Sequence, residues 1–312
     1  MTNGHTNGSN SAPFGRLLTA MVTPFDDAGE VDYKQAQVLA RSIIDAGGDG
    51  LVITGTTGEV PTLTRDEKLN LYRAVIEAVG QDAAVIAGTG TYNTRESIEA
   101  SREAEEVGAD GLLLTVPYYN KPTQEGIFQH FKAIADAVDL PCILYNIPGR
   151  TSINMAPETI VRAGREISNV IGVKEASGNL EAMATIVEDA GPDFHVWSGD
   201  DSVTLPLLSV GGYGVICTCS NMVASQMRAI IDAFVAGKVV EAAALHRRLL
   251  PLMSALMTVA ANPVPIKHAM NQRGFKVGGV RQPLWDLDEA ASAKLMGIVG
   301  KYAVDLPVGA GV

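Results

Sequence analysis

The feature that most constrains the fold is an alternation of short apolar runs with helix-like stretches, repeated eight times along the chain. Most of the apolar runs are continuously apolar and end in turn residues, which is typical of strands covered on both faces. They span residues 17–25, 50–55, 83–90, 111–119, 141–148, 170–177, 194–200 and 214–221. A strand followed by a helix, eight times over, predicts an α/β protein of the (β/α)8 or TIM-barrel type.

The stretches between the apolar runs have the spacing of amphipathic helices. Thr64 followed three residues later by Glu67 is the pattern of a capping box, which predicts the start of the second helix. An open doubly wound sheet also alternates in this way, but eight units favour the closed barrel. The predicted helices span residues 33–46, 66–79, 93–107, 123–138, 157–167, 180–189, 202–210 and 223–236.

The chain divides into three parts by composition. Residues 1–14 are rich in Asn, Gly, Ser and Thr, which predicts a disordered tail. Residues 15–237 hold the eight repeats and predict the barrel. Residues 238–312 contain three further helical patterns, at 240–257, 264–273 and 288–304, which predict a helical appendage packed on the barrel.

Composition excludes several classes of function. The 312 residues carry 24 basic and 35 acidic side chains and a formal charge of −11, and no Lys/Arg-rich run occurs. We therefore expect no nucleic-acid partner and no anionic membrane surface. No apolar run approaches the roughly 18 residues of a membrane span, and the N-terminus lacks a signal-peptide pattern. The three cysteines lie in apolar segments, which favours reduced thiols and a cytoplasmic protein.

Lys174 is the strongest single candidate for chemistry. It stands inside the sixth apolar run, and in a barrel the chemistry lies where strands end. Strand alternation places it on the face of Val170 and Gly172, and Gly172 would leave room for its stem. Burial lowers the pKa of a lysine and makes the neutral amine available as a Schiff-base nucleophile. A lysine reaching to the barrel rim is the alternative, and Lys267 is a rival candidate.

Three other strand ends carry polar candidates. Tyr145 ends the fifth run, where its phenol could transfer a proton, and Arg150 follows in the loop, where it could bind a carboxylate. The second run ends in Gly55-Thr-Thr-Gly-Glu59, whose amides and hydroxyls could bind a small anion. Tyr118 and Tyr119 end the fourth run and predict a site wall or a subunit interface.

The sequence offers no pattern for a metal or a cofactor. The five histidines form no HxxxH or HExxH spacing, and Cys217 and Cys219 lack partners at zinc spacing. Neither a complete dinucleotide fingerprint nor a Walker A motif occurs. We therefore expect chemistry without a cofactor and without a metal ion.

Taken together, these segments resemble the dihydrodipicolinate synthase/N-acetylneuraminate lyase family. The likeness rests on Gly55-Thr-Thr-Gly-Glu59, Tyr145-Asn-Ile-Pro148 and Gly172-Val-Lys-Glu175, and it runs from about residue 15 to 285. It implies that Lys174 forms the Schiff base and that Tyr145 relays protons through Thr56 and Tyr119, the last from a neighbouring subunit. It also implies substrate-binding roles for Thr57 on the pyruvate carboxylate, Arg150 on the semialdehyde carboxylate, and Ile216 and Gly199 in the pocket wall.

The resemblance implies a condensation of pyruvate with L-aspartate 4-semialdehyde to 4-hydroxy-tetrahydrodipicolinate, in lysine and diaminopimelate biosynthesis. It also implies a homotetramer arranged as a dimer of dimers. Two alternatives stay open: another pyruvate-dependent aldolase of the family, such as a sialic-acid or keto-deoxy-sugar lyase, and a barrel that binds small acids without catalysis. Arg150 favours the semialdehyde, because a sugar aldehyde presents hydroxyls rather than a carboxylate.

The resemblance also points to a regulatory pocket that has changed. In lysine-inhibited relatives this pocket at the dimer interface has His and Asn side chains. Here the matching positions are Arg65, Lys68 and Tyr92, with Glu96 retained. Two cations would repel a lysine ammonium, so we expect weak or absent inhibition by L-lysine.

Overall fold

The computed structural model describes residues 13–307. Within this range eight parallel strands form a closed barrel in chain order, and β8 pairs with β1 to close it. The strands are β1 Leu17–Ala20, β2 Gly50–Ile53, β3 Ala84–Gly88, β4 Gly111–Thr115, β5 Cys142–Asn146, β6 Val170–Glu175, β7 His195–Ser198 and β8 Gly214–Cys217. The predicted (β/α)8 barrel is confirmed, and the strands are shorter than the apolar runs because each run continues into a loop.

The helices of the described range follow the predicted order. They are α1 Tyr33–Asp45, α2 Arg65–Val79, α3 Thr94–Glu106, α4 Gln124–Ala135, α5 Pro148–Thr151, α6 Pro157–Glu166, α7 Leu180–Ala190, α8 Thr204–Ser209, α9 Ser220–Val235, α10 Val239–Thr258, α11 Val264–Gln272 and α12 Glu289–Val299. The capping box before α2 forms as predicted. The predicted seventh helix is a 3-10 turn that runs into the short α8. None of these helices is long and apolar enough to cross a membrane.

Alternate residues of each strand supply two separate cores. Leu18 and Ile216 belong to a cluster built almost wholly from strand residues, which therefore fills the barrel interior. Leu17 and Val215 belong to a larger cluster that includes residues of the surrounding helices. This division explains the continuous apolar runs, because both faces of every strand are covered.

A β-bulge in β6 changes the expected alternation before Lys174. The pairing with β5 shifts register between Cys142 and Ile143, which pair with Val170 and Gly172. As a result Val170 packs in the outer core and Ile171 against the barrel interior, so the predicted placement of Val170 on the face of Lys174 is wrong. Gly172 was predicted to leave room for the stem of Lys174, but the structure gives it another role. A side chain there would collide with the Trp197 ring and the His195 carbonyl, so the glycine makes room for Trp197.

The appendage consists of the three helices α10, α11 and α12, and α10 packs against α9 and α12. The last helix ends at Val299 rather than at the predicted residue 304, and the chain then returns to α9. There Asp305 accepts hydrogen bonds from Ser225, at 2.8 Å from its main-chain nitrogen and 2.7 Å from its hydroxyl.

The predicted N-terminal tail lies outside the described residues as far as residue 12. Its last member, Phe14, does not fit that prediction. The Phe14 ring is buried in the barrel-interior cluster and lies against Gly111, where an added Cβ would meet it at 2.4 Å. The ordered chain therefore begins before residue 15, because an aromatic ring is needed to fill this end of the barrel.

Candidate active site

Lys174 and Tyr145 face each other inside the barrel. They are register partners in the β5–β6 pair, and both side chains are buried. The Nζ of Lys174 lies 4.3 Å from the centroid of the Tyr145 ring. Removal from water lowers the pKa of Lys174 to about 8, and Asp201 and Cys217 oppose this shift. The predicted interior position of this lysine thus gives an amine that loses its proton more readily than a lysine in water.

The Tyr145 hydroxyl is held by the turn that follows β2. Its partner is the side chain of Thr56, and burial raises the pKa of Tyr145 to about 12 although the Arg150 charge opposes the shift. The phenol is therefore protonated at neutral pH and able to donate. The structure brings together Lys174, Tyr145 and Thr56, three of the four residues predicted to act in catalysis.

A cavity of about 390 Å³ borders this group at Thr56. Thr56 and Arg150 line it, together with Ile147, Tyr118 and Asn262. Arg150 lies on the one-turn helix α5 directly after β5 and is exposed, so its guanidinium is accessible to a ligand at the cavity that it lines. A carboxylate is the group that this planar donor binds best.

Of the three predicted pocket residues, Gly199 lies beside Lys174, and Thr57 and Ile216 are buried. Thr57 is buried, with its Oγ1 3.4 Å from the Thr218 Oγ1, and Ile216 is buried on β8. Gly199 follows β7, and a Cβ there would lie 2.6 Å from the Ala176 Cβ and 3.2 Å from the Cγ of Lys174. A glycine is therefore required at this position for the lysine stem to fit.

Tyr119 is the predicted catalytic residue that the single chain does not bring to the site. Its side chain is 88% exposed, and its backbone has a φ of 70°, an uncommon value for a bulky residue. Tyr118, not Tyr119, lines the cavity. An exposed aromatic on strained backbone is compatible with a contact to a second copy of the chain.

Asp201 is a site residue whose role the sequence did not reveal. Its buried carboxylate accepts hydrogen bonds from the main-chain nitrogens of Thr218 at 2.9 Å and Cys219 at 2.7 Å. Burial raises its pKa, and its charge supports the protonated form of Lys174. The only signal was its place at the end of a strand, which many structural residues share.

Asp201 also completes a group of side chains that could ligate a metal ion. Its carboxylate and the thiols of Cys217 and Cys219 lie within 4.8 Å of one another, the one such group in residues 13–307. The two sulfurs are 3.5 Å apart. The carboxylate already accepts hydrogen bonds from the main-chain nitrogens of Thr218 and Cys219. These bonds account for the cluster, and the expected absence of a metal stays a prediction.

Lys267, the rival candidate, lies elsewhere. Its Nζ forms an ion pair with Oε1 of Glu59 at 2.8 Å, and both side chains are almost fully buried. The other carboxylate oxygen of Glu59 accepts from the main-chain nitrogen of Arg281 at 2.9 Å. Lys267 therefore joins the appendage to the turn that holds Thr56 and Thr57, and its amine is not free.

We expect Lys267→Met to lower the free energy of unfolding by about 3–5 kcal/mol, because it leaves the Glu59 carboxylate buried without its partner. Urea unfolding followed by circular dichroism measures this. The double variant Glu59→Gln/Lys267→Met removes both charges and should recover part of the loss. Equal stability of Lys267→Met and the unchanged protein would contradict a buried ion pair.

The four predicted regulatory residues only partly share a cavity. Arg65, Lys68 and Glu96 line a second cavity of about 260 Å³. Arg65 is paired with Glu103 at 2.7 Å, and Lys68 borders both cavities. Tyr92 lies outside this lining and packs edge-on against the ring of Tyr118, with the centroids 5.1 Å apart.

The geometry of a buried lysine and tyrosine at the carboxyl ends of barrel strands agrees with the comparisons to known proteins. Residues 13–301 match the model of the dihydrodipicolinate synthetase family. The chain belongs to this family. It is 53% identical to a 4-hydroxy-tetrahydrodipicolinate synthase of Dehalococcoides mccartyi, over 94% of this chain and 98% of that one.

Solved structures of the dihydrodipicolinate synthetase family have the same fold. A dihydrodipicolinate synthase from Bacillus anthracis is 43% identical, with a TM-score of 0.91 over 93% of this chain and 99% of that one. A lysine-bound enzyme from Cyanidioschyzon merolae is 45% identical, also with a TM-score of 0.91, over 94% of this chain and all (100%) of that one. The predictions of family membership and of an enzyme, a lyase of this family, are confirmed.

Proposed function

We propose that this chain condenses pyruvate with L-aspartate 4-semialdehyde to 4-hydroxy-tetrahydrodipicolinate, through a Schiff base on Lys174. The observation that carries the proposal is the buried amine of Lys174, whose pKa is lowered to about 8, 4.3 Å from the Tyr145 ring centroid. A neutral amine in a dry pocket is the nucleophile that attacks a keto carbonyl. Membership of the dihydrodipicolinate synthetase family supports the choice of substrates.

The steps follow from this arrangement. Lys174 Nζ attacks the pyruvate carbonyl carbon, water leaves, and an iminium forms whose carbon–nitrogen double bond accepts electrons. A methyl proton leaves to give an enamine, and the enamine carbon attacks the aldehyde carbon. The substrate amine then displaces Lys174 and closes the ring. Tyr145 supplies and removes protons, and Thr56, its hydrogen-bond partner, begins the relay toward bulk water.

Two carboxylates need separate binding groups in this reaction. We assign the pyruvate carboxylate to Thr57, which lies at depth in the barrel, and the semialdehyde carboxylate to Arg150 at the opening of the cavity. Ile216 and Gly199 form the wall near Lys174. The two acids are thus assigned to separate groups, one buried in the barrel and one at the cavity, with the carbons that join lying between them.

The proposal includes a homotetramer in the cytoplasm in which Tyr119 completes the site of a neighbouring copy. The exposed ring and the positive φ of Tyr119 support a partner at this loop. In such an assembly the relay from Tyr145 and Thr56 would continue through the Tyr119 hydroxyl of the second copy.

The experiment that tests the proposed function is a coupled assay of the purified protein with pyruvate and several aldehydes, without added metal. Rapid turnover with L-aspartate 4-semialdehyde and slow turnover with N-acetylmannosamine or glyceraldehyde is the expected result. A preference for a sugar aldehyde would move the assignment to another aldolase of the family. Absence of turnover with all of them, together with no borohydride adduct with pyruvate, would indicate a barrel without catalysis.

We expect the rate of imine formation to rise with pH and to level off above about pH 8, because only the neutral amine of Lys174 attacks and its pKa is lowered to about 8. Single-turnover trapping with pyruvate and cyanoborohydride, measured from pH 6 to 10, reports this. A rate that keeps increasing toward the ordinary lysine pKa of 10.5 would show that burial does not control this amine.

We expect L-lysine at millimolar concentration to leave more than half of the activity, because Arg65 and Lys68 stand where the resemblance places uncharged side chains in lysine-inhibited relatives, and they offset the charge of Glu96, Glu99 and Glu103 in the same cavity. Initial rates with saturating substrates test this, and the same concentration of L-alanine controls for ionic effects. A specific loss of half the rate with L-lysine would contradict the repulsion argument.

A further inference from the structure

Asn262 contacts both residues to which the proposed function assigns a substrate carboxylate. It lies in the connection between α10 and α11, on the appendage rather than on the barrel. Its side chain is only 5% exposed, and its Nδ2 donates to the Oγ1 of Thr57 across 2.9 Å. Its main-chain carbonyl oxygen accepts from Nη2 of Arg150 across 3.3 Å. One appendage residue therefore contacts Thr57, which is buried in the barrel, and Arg150, which lines the cavity together with Asn262 itself.

The contact with Nδ2 determines what the Thr57 hydroxyl can do. A hydroxyl has one proton to donate and two lone pairs that accept. The Asn262 amide nitrogen has only protons to give, so it occupies a lone pair of Thr57. The Thr57 proton is left for an acceptor: the Thr218 Oγ1 lies 3.4 Å away, and a pyruvate carboxylate at a shorter distance would take its place. A carboxylate accepts hydrogen bonds and donates none, so this is the polarity that pyruvate requires.

The remaining end of the Asn262 side chain is not used to hold its own loop. The Oδ1 atom is buried and has no hydrogen-bond partner within the described part of the chain, which costs free energy. Asn271 on the same appendage shows the structural pattern instead. Its Nδ2 donates to the Gly278 carbonyl and its Oδ1 accepts from the Val277 nitrogen, both at 2.8 Å. The position of the Asn262 side chain therefore serves the contact with Thr57 rather than the pairing of both its own polar atoms.

We propose that Asn262 is a positioning residue that binds both carboxylate-holding side chains, with a separate part of the residue for each substrate. Its side-chain amide directs the Thr57 proton toward pyruvate, and its main-chain carbonyl holds Arg150 for the semialdehyde. The appendage thereby completes the substrate site of the barrel. The inference rests on the proposed roles of Thr57 and Arg150.

The substitution Asn262→Ala tests the two parts of the residue separately, because it removes the side-chain amide and keeps the main-chain carbonyl. We expect the KM for pyruvate to rise about tenfold, in line with the loss of one buried hydrogen bond. The KM for L-aspartate 4-semialdehyde should stay within about twofold, and kcat at saturating pyruvate should change little. Steady-state kinetics with each substrate varied in turn measures this split, and equal increases in both KM values would overturn the proposal.

A double-variant cycle tests whether Asn262 acts through Thr57. Thr57→Val alone should raise the pyruvate KM, and adding Asn262→Ala should raise it no further, because the hydroxyl that Asn262 directs is gone. Asn262→Asp keeps the shape but accepts the Thr57 proton, and we expect an increase of about 100-fold. Additive effects of the two single variants, or an unchanged pyruvate KM in Asn262→Asp, would overturn the inference.

Asn271→Ala is the matched control, because it removes an asparagine of the same appendage whose side chain bonds to Val277 and Gly278 rather than to Thr57. It should lower the thermal midpoint and leave both KM values unchanged. Loss of pyruvate affinity in Asn271→Ala equal to that in Asn262→Ala would show a general effect of the appendage and overturn the assignment. If the protein without substitutions shows no condensation activity, the proposed function itself is overturned. If it is active and the Asn262 variants have the same KM for pyruvate, this inference alone is overturned.

Discussion

Lys174→Met is expected to abolish condensation, with kcat at least about 10⁴-fold lower and no pyruvate adduct after borohydride reduction. The reason is that no other amine lies free inside the barrel in the described part of the chain. Lys267 is held by Glu59 at 2.8 Å, and Lys68 stands at the cavity border on α2. Mass spectrometry of the reduced protein locates the adduct on a peptide, and turnover is measured in the coupled assay.

We also expect Lys174→Met to stabilise the folded protein. The lowered pKa of Lys174 means that the folded state disfavours its charge, and methionine has a similar length without an amine. The thermal midpoint of Lys174→Met should therefore equal or exceed that of the unchanged protein, measured at pH 7. A rise in stability together with loss of function would mark a residue retained for chemistry.

Lys267→Met serves as the matched control for this experiment, because it also replaces a buried lysine near the site. It should lose stability and keep the pyruvate adduct on Lys174, the reverse of the expected result for Lys174→Met. An adduct that persists in Lys174→Met, or that disappears only in Lys267→Met, would remove Lys174 from the mechanism.

The barrel topology was enough to predict that the strand ends carrying Lys174, Tyr145 and Thr56 converge, and the family resemblance supplied the role of Thr56. Parallel strands of a closed barrel all end at one rim, so residues at strand ends converge without any knowledge of the contacts. Lys174 could be identified as a candidate because burying a charged side chain in a continuously apolar strand costs free energy, which indicates a functional role. The same physical rule explains why the fold could be predicted: continuous apolar runs need cover on both faces, and the barrel interior covers one face while the surrounding helices cover the other.

The sequence could not show contacts between residues that lie far apart along the chain. Asn262 reaches Thr57 across 205 residues, and Lys267 reaches Glu59 across 208. An asparagine before a proline predicts a turn, and nothing in that pattern says which hydroxyl the amide will meet. The bulge in β6 was missed for a related reason, since alternation assumes an unbroken ladder and a bulge depends on the neighbouring strand.

Tyr145→Phe is expected to lower kcat by about 10²–10⁴-fold, the range for loss of a general acid or base, while the lysine remains able to bind pyruvate. The phenol is buried and its pKa is raised to about 12, so at neutral pH it acts first as a donor. Phenylalanine fills the same space, and its ring keeps the contact with Lys174 Nζ. The expected loss therefore reports the proton and not the packing.

The matched control is Tyr72→Phe, which removes another buried phenol next to the same turn. The Tyr72 hydroxyl shares a hydrogen bond of 2.6 Å with Thr54 Oγ1 and lies on the other cavity. We expect it to cost about 1 kcal/mol of stability and to leave kcat within about twofold.

Thr56→Val should lower kcat less than Tyr145→Phe, because Thr56 passes on the proton that Tyr145 holds. A kcat for Tyr145→Phe within twofold of the unchanged enzyme would move the proton transfer to another group, and the Tyr145–Thr56 pair would then be structural.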